Sequence, residues 1–192
     1  MSIQYPVSEI FTSIQGEGNY AGVRSLFIRF QFCNLNCSWC DTKYTWLQST
    51  GKFKWYSIDK LKETIKKSKV YQVIFTGGEP SFQQLDKLVL PEIKFHVETN
   101  ATINPEKPLA MKLRDGYEIT REGMDNEIIR NFNWVVSPKM SNARQELNNE
   151  GMKYWADTDF GIFKFIIKTE HDLFEIKEVA NTYNINERRI YV

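Results

Sequence analysis

Short apolar runs recur along this chain, separated by polar turns and by stretches with helical spacing. The runs at 23–32 (VRSLFIRFQF), 71–76 (YQVIFT), 93–99 (IKFHVET), 132–137 (FNWVVS), 162–168 (IFKFIIK) and 188–192 (RRIYV) read as strands, because they are rich in β-branched and aromatic side chains. Between them, SIDKLKETIKKS opens on Ser57, a good N-cap residue, and spaces Ile58, Leu61 and Ile65 along one helix face. EHDLFEIKEVANTY does the same with Leu173, Ile176, Val179 and Ala180. Strand alternating with helix predicts an α/β fold with a mainly parallel sheet and helical crossovers. LAMKLRDGYEIT breaks that rhythm. Its Asp115-Gly116 pair reads as a tight turn, so a hairpin insertion is expected at about 108–120 within a single domain spanning 1–192.

The polar motifs follow the strands. CNLNCSWCDT comes after the first run, TGGEP after the second, ETNAT after the third and SPK after the fourth. In parallel α/β architectures the C-terminal strand ends share one face, where ligands bind. All four motifs are therefore expected at one site.

Composition narrows the class. With 192 residues, 42% hydrophobic and 14% aromatic, the chain can bury a proper core. Lys and Arg total 25 against 24 Asp and Glu, so no global field would recruit nucleic acid or anionic lipid. No run approaches the roughly 20 apolar residues of a membrane span, and MSIQYPVSEIF lacks a signal-peptide layout, which together predict a cytoplasmic protein.

All three cysteines fall between positions 33 and 40. An odd number of thiols on a short loop suits convergence on one metal centre better than disulfide pairing. Zinc would want a fourth protein ligand, for which only His96 and His171 are on offer. A cubane iron-sulfur cluster reads the spacing better: Cys33, Cys37 and Cys40 would each hold one iron, leaving the fourth open and reactive. Burial of the three as small hydrophobes fits poorly beside Asn34, Asn36 and Ser38.

Other positions carry chemistry conditionally. Gly77 and Gly78 would let main chain approach a ligand, and Glu79 could accept from an ammonium group, although an ordinary βα turn reads similarly. Ser137 suits a sugar hydroxyl and Lys139 a carboxylate. Gln15 offers donors and an acceptor, while Arg29 is either a carboxylate fork or a structural ion pair. Asp41-Thr42 could give hard oxygen to Mg²⁺, or Thr42 could cap a helix. His96 reads as a satisfied core residue and His171 as a surface one.

With these residues assembled, the chain resembles the radical S-adenosylmethionine (SAM) superfamily, whose C-x3-C-x2-C hallmark is matched by Cys33, Cys37 and Cys40 with Trp39 before the third. Within it, the chain looks like the 7-carboxy-7-deazaguanine synthase (QueE) family. That likeness rests on EIFTSIQGEGNYAGVRSLFIRFQFCNLNCSWCDTKYTW (9–46), FTGGEP, VETN, VVSPK and FKFII, and spans nearly the whole chain. It implies an incomplete β/α TIM-like barrel, a homodimer, a 4Fe-4S cluster, SAM and Mg²⁺, with radical chemistry carried by cluster and SAM rather than by a catalytic side chain. The implied reaction is a carbon-nitrogen lyase step on the queuosine route: ring contraction of 6-carboxy-5,6,7,8-tetrahydropterin to 7-carboxy-7-deazaguanine with loss of ammonia. An electron donor such as flavodoxin or ferredoxin is implied, and no direct nucleic-acid contact.

By the same resemblance, Trp39, Cys40, Asp41, Gly78, Glu79, Ser137, Pro138 and Lys139 hold SAM. Ile14, Gln15, Gly16, Arg29 and Thr76 bind the pterin, and Thr42 binds Mg²⁺. Two departures from the family pattern stand out: Ala101 replaces a common glycine, and the chain stops at Val192 where relatives usually continue in a tail that reaches the substrate. Either the tail is dispensable, another segment such as the 108–120 hairpin covers the pterin, or the sequence is trimmed. The rival enzyme class is a glycyl-radical activating enzyme, expected to lack SIQGEG and the Asp-Thr pair. From a different class comes a zinc-stabilised binding module, for instance for RNA.

Overall fold

The computed structural model describes residues 3–192. In chain order its elements are β1 Gln4–Ile14, β2 Arg24–Phe30, β3 Lys54–Ser57, α1 Ile58–Ser68, β4 Gln72–Gly77, β5 Lys94–Thr99, β6 Leu109–Lys112, β7 Glu118–Arg121, α2 Asn126–Ile129, β8 Asn133–Val136, α3 Asn149–Asp157, β9 Ile162–Lys164, α4 Glu170–Thr182 and β10 Ile190–Tyr191. Eight of the strands make one sheet in the order β10-β9-β8-β5-β4-β2-β1-β3. From β2 to β10 every neighbouring pair is parallel; β1 runs antiparallel to both β2 and β3. The sheet stays open, with β10 and β3 as its edges. The expected mainly parallel α/β architecture is therefore present.

Local chemistry explains most elements. Ser57 caps α1 by accepting from the Lys60 amide, and Leu61 and Ile65 are fully buried beneath the helix. Asp172 takes the amides of Lys168 and Thr169 at 2.6 and 2.8 Å, which fixes the start of α4. Ile176 and Val179 pack inward, but Leu173 is exposed beside Phe174, so the apolar face of α4 is narrower than its spacing predicts. Asp115 and Gly116 turn between β6 and β7 as expected, with Gly116 at φ +86°.

Three features depart from the sequence reading. β1 and β3 were not legible as strands. β1 carries Pro6 and polar Ser, Glu and Thr, because it pairs antiparallel with one face largely open and shifts register near Ser8. The crossover from β4 to β5 has no α-helix. Two 3-10 turns, Pro80–Phe82 and Leu85–Leu88, make the connection, with Pro80 at a first position where its missing amide proton costs nothing. α3 was also missed; its Trp155 is fully buried, with its ring 4.8 Å from that of Trp134.

A second, smaller core lies beyond the strand ends and supports the site. Phe32, Phe82, Ile103, Leu113 and Ile119 are buried together, and Tyr117 of the hairpin turn stacks on Phe32 at 4.5 Å. Phe32 adopts φ +82°, a left-handed conformation that costs about 1–2 kcal/mol and turns the chain sharply out of β2. Burial of its ring offsets that cost. Arg121 ties the hairpin down from below, donating to the carbonyls of Ser81, Pro105, Glu122 and Asn104.

Candidate active site

Where β2, β4, β5 and β8 end, the chain forms an open cavity of about 640 Å³. That volume lies within the ~300–1,000 Å³ usual for small-molecule sites. Its wall includes Cys33, Cys37, Trp39, Cys40, Asp41 and Thr42 from the loop after β2, and Gly78 after β4. Ser137 and Lys139 line it from the turn after β8. Ile14, Gln15 and Gly16 join from the end of β1, Arg29 from β2 and Thr76 from β4. One cavity thus gathers fourteen of the positions singled out by sequence. Two stand apart. Pro138 is buried without lining the cavity, and Glu79, fully buried, accepts from Ser81 N, Thr99 Oγ1 and Asn100 N.

The glycines of TGGEP line the cavity and are also required by the main chain beside them. A Cβ on Gly77 would fall 2.3 Å from the Phe30 carbonyl oxygen, and one on Gly78 would fall 2.0 Å from that of Phe32. The amides of Gly78 and Glu79 donate to those same carbonyls. The crossing clamps the TGGEP turn directly against the root of the cysteine loop. Ala101 similarly occupies φ +71°, pressed by Gly151 of α3, and lies outside the large cavity.

All three thiols are free. Among the described residues, the ligand atoms that come within 4.8 Å of one another in threes are those of His171, Asp172 and Glu175, so at least one pair of the cysteine sulfurs lies farther apart than that. Burial pushes the Cys33 thiol up to about 12 and raises Cys37 as well, so thiolates here need a neighbouring positive centre. Leu35 N and Asn100 Nδ2 already donate to Cys33 Sγ, the type of contact that steadies a cluster sulfur.

Opposite the loop, two cations frame Trp39: Lys139 Nζ lies 5.3 Å and Lys168 Nζ 5.7 Å from its ring centroid. Burial lowers the Lys139 pKa, and its ammonium donates to Ser137 Oγ at 2.7 Å. On the other side Arg29 donates from Nε to Glu9, while its terminal nitrogens make no hydrogen bond among the described residues. Phe11 and Phe27 stack beside it at 5.0 Å. Gly16 leaves the rim open, since a Cβ there would meet nothing within 4 Å.

The radical SAM superfamily matches this sequence over residues 27–179. The chain belongs to the radical SAM superfamily. Radical SAM proteins use a 4Fe-4S cluster and SAM, which fits the three free thiols at the cavity wall. Similar proteins agree on the branch. The 7-carboxy-7-deazaguanine synthase of Hyperthermus butylicus is 30% identical over 97% of this chain and 75% of its own length. That of Clostridium acetobutylicum is 28% identical over 99% of the chain and 81% of its own length. The crystal structure of QueE from Escherichia coli superposes with a TM-score of 0.71 at 25% identity, covering 97% of this chain and 82% of that one.

Of two further lining residues of this radical SAM fold, Glu98 belongs to the ETNAT motif expected at the site, and Lys164 escaped the sequence reading. Glu98 accepts from Thr76 Oγ1 at 2.7 Å and Gln15 Nε2 at 3.2 Å, and burial raises its pKa. Lys164 pairs with Glu17. Nothing local marked Lys164, whose role depends on β9 lying next to β8.

Proposed function

We propose that the chain is a 7-carboxy-7-deazaguanine synthase, converting 6-carboxy-5,6,7,8-tetrahydropterin to 7-carboxy-7-deazaguanine with loss of ammonia. The observation that carries this reading is the shared cavity: the cysteine loop and the SIQG segment, distant in purpose but not in space, line one volume together with Arg29. Cys33, Cys37 and Cys40 would hold the cluster. When bound, cluster and SAM together supply a carbon-centred radical. The protein's own residues bind, orient and exclude water.

On the cluster side, Trp39, Asp41, Gly78, Ser137 and Lys139 would hold SAM, Lys139 taking its carboxylate. Pro138 would set the turn that presents Ser137 and Lys139, and Glu79 would act through the backbone it anchors at Asn100. On the other side Arg29 would fork the pterin carboxylate, with Ile14 and Gly16 bounding the ring, Gln15 reading its edge and Thr76 beside it. Thr42, whose Oγ1 sits 3.6 Å from Cys40 Sγ, would give one oxygen to Mg²⁺, an ion that keeps most of its waters. No helix among the described residues is long and apolar enough to cross a membrane, and the free thiols fit a reducing cytoplasm. A homodimer fed electrons by a small carrier such as flavodoxin or ferredoxin completes the reading.

Anaerobic incubation of the reconstituted protein with the pterin, SAM, Mg²⁺ and a reductant tests it. Formation of 7-carboxy-7-deazaguanine is expected. SAM cleavage without any deazaguanine would instead point to another radical SAM substrate.

A further inference from the structure

His96 is buried in the middle of β5, and it is one of only two histidines in the chain. Its Nε2 lies 3.4 Å from Gln15 Nε2, its Nδ1 has no partner among the described residues, and the Tyr20 ring sits edge-on to it at 6.2 Å. A purely structural role accounts poorly for a histidine here. An unpaired buried N–H costs about 1–3 kcal/mol, more than one long hydrogen bond returns, and a phenylalanine would fill the same space without that cost.

The neighbouring contacts fix which way the Gln15 amide faces. Its Oε1 accepts from Glu17 N at 3.2 Å, and its Nε2 donates to Glu98 Oε1 at 3.2 Å. Turning the amide over would set an oxygen against the Glu98 carboxylate and an NH₂ against the Glu17 amide. With both nitrogen hydrogens committed, one to Glu98 and one to His96, Gln15 keeps only a spare lone pair on Oε1 for anything else in the cavity.

We propose that His96 is a positioning residue: held neutral with its proton on Nδ1, it accepts from Gln15 and locks that amide so that it presents a hydrogen-bond acceptor to the ligand, selecting a ring edge that donates N–H. Protonation of His96 would turn Nε2 into a donor and break the lock. Burial already pulls the ring's pKa to about 4, which keeps it neutral over the physiological range. The charged and titratable groups around the network are Glu17, Glu98, Lys164 and Tyr20. The inference rests on Gln15 facing the pterin, as proposed above.

Two measurements test it. In steady-state turnover, His96→Phe should raise the KM for the pterin about tenfold, the worth of one hydrogen bond, with kcat changed less than about threefold. His96→Gln, which restores an acceptor near the Nε2 position, should recover most of the loss. A His96→Phe protein that folds, binds its cluster and keeps the wild-type KM would overturn the proposal. Independently, ¹⁵N-histidine spectra of the full chain, with His171→Gln used for assignment, should show His96 as the neutral Nδ1-protonated tautomer. The Nε2-protonated tautomer would refute the lock even where the Phe variant does not fold. Absence of pterin turnover by the wild type would remove the functional reading instead, leaving the tautomer result to decide whether His96 orients Gln15.

Discussion

Arg29 donates from Nε to the Glu9 carboxylate at 2.8 Å across the β1–β2 pair, and the same Glu9 oxygen takes the Tyr44 hydroxyl at 2.8 Å. The two sequence readings of Arg29, carboxylate fork and structural ion pair, are therefore compatible. The ion pair uses one nitrogen and holds the guanidinium over Phe11, leaving the other two at the cavity wall.

Arg29→Ala should leave cluster assembly intact and lower kcat/KM for the pterin by about 10²-fold or more, as expected for a charge-assisted contact of ~3 kcal/mol. Glu9→Gln should cost about tenfold or less, because it loosens the fork without removing it. Steady-state kinetics beside iron content measure both. Full pterin turnover by the Arg29 variant would sink its assignment.

Gly78→Ala should be severely destabilising, by roughly 3 kcal/mol or more, since the new methyl would meet the Phe32 carbonyl and not a flexible side chain. Thermal unfolding should show it, and because the crossing anchors the cysteine loop, iron incorporation should fall as well. Unchanged stability would mean the TGGEP turn can open away from β2.

Arg121→Met removes the donors that serve four carbonyls beneath the hairpin. A loss of about 2–4 kcal/mol is expected, measurable by urea unfolding. Little or no loss would show that water replaces the guanidinium without penalty.

His96 gives the fold a pH dependence of defined sign. Its ring titrates near 4 folded against an ordinary 6.5, so the unfolded chain binds more protons between those values. The contribution is fully present above about pH 6.5 and is lost as pH falls towards 4, amounting to ~3 kcal/mol at most. Glu79 and Glu98, raised by burial, slope the other way, so the comparison needed is wild type against His96→Phe at pH 7 and pH 5. The wild type should lose more stability on acidification than the variant. Equal losses would show that the ring is protonated in the folded state.

What was legible in the sequence was chemistry that stays local. Three cysteines on one loop, strand runs rich in Val, Ile and Phe, and the Ser57 cap all act over a few residues, and the structure places them accordingly. What was not legible depends on partners far away in the chain. β1 looks like a loop until β2 and β3 flank it, the TGGEP glycines give no sign of the carbonyls after β2 that they must clear, and Glu79 looks available until Thr99 and Asn100 claim it. Lys164 joins the wall only because β9 lies beside β8.

The most direct measurement is the metal content and absorbance of anaerobically reconstituted protein beside its Cys33→Ala, Cys37→Ala and Cys40→Ala variants. About four irons per chain with iron-sulfur absorbance are expected in the wild type, and loss of SAM cleavage in every variant. A colourless protein holding one zinc per chain would contradict the cluster, and with it the assignment of the cavity.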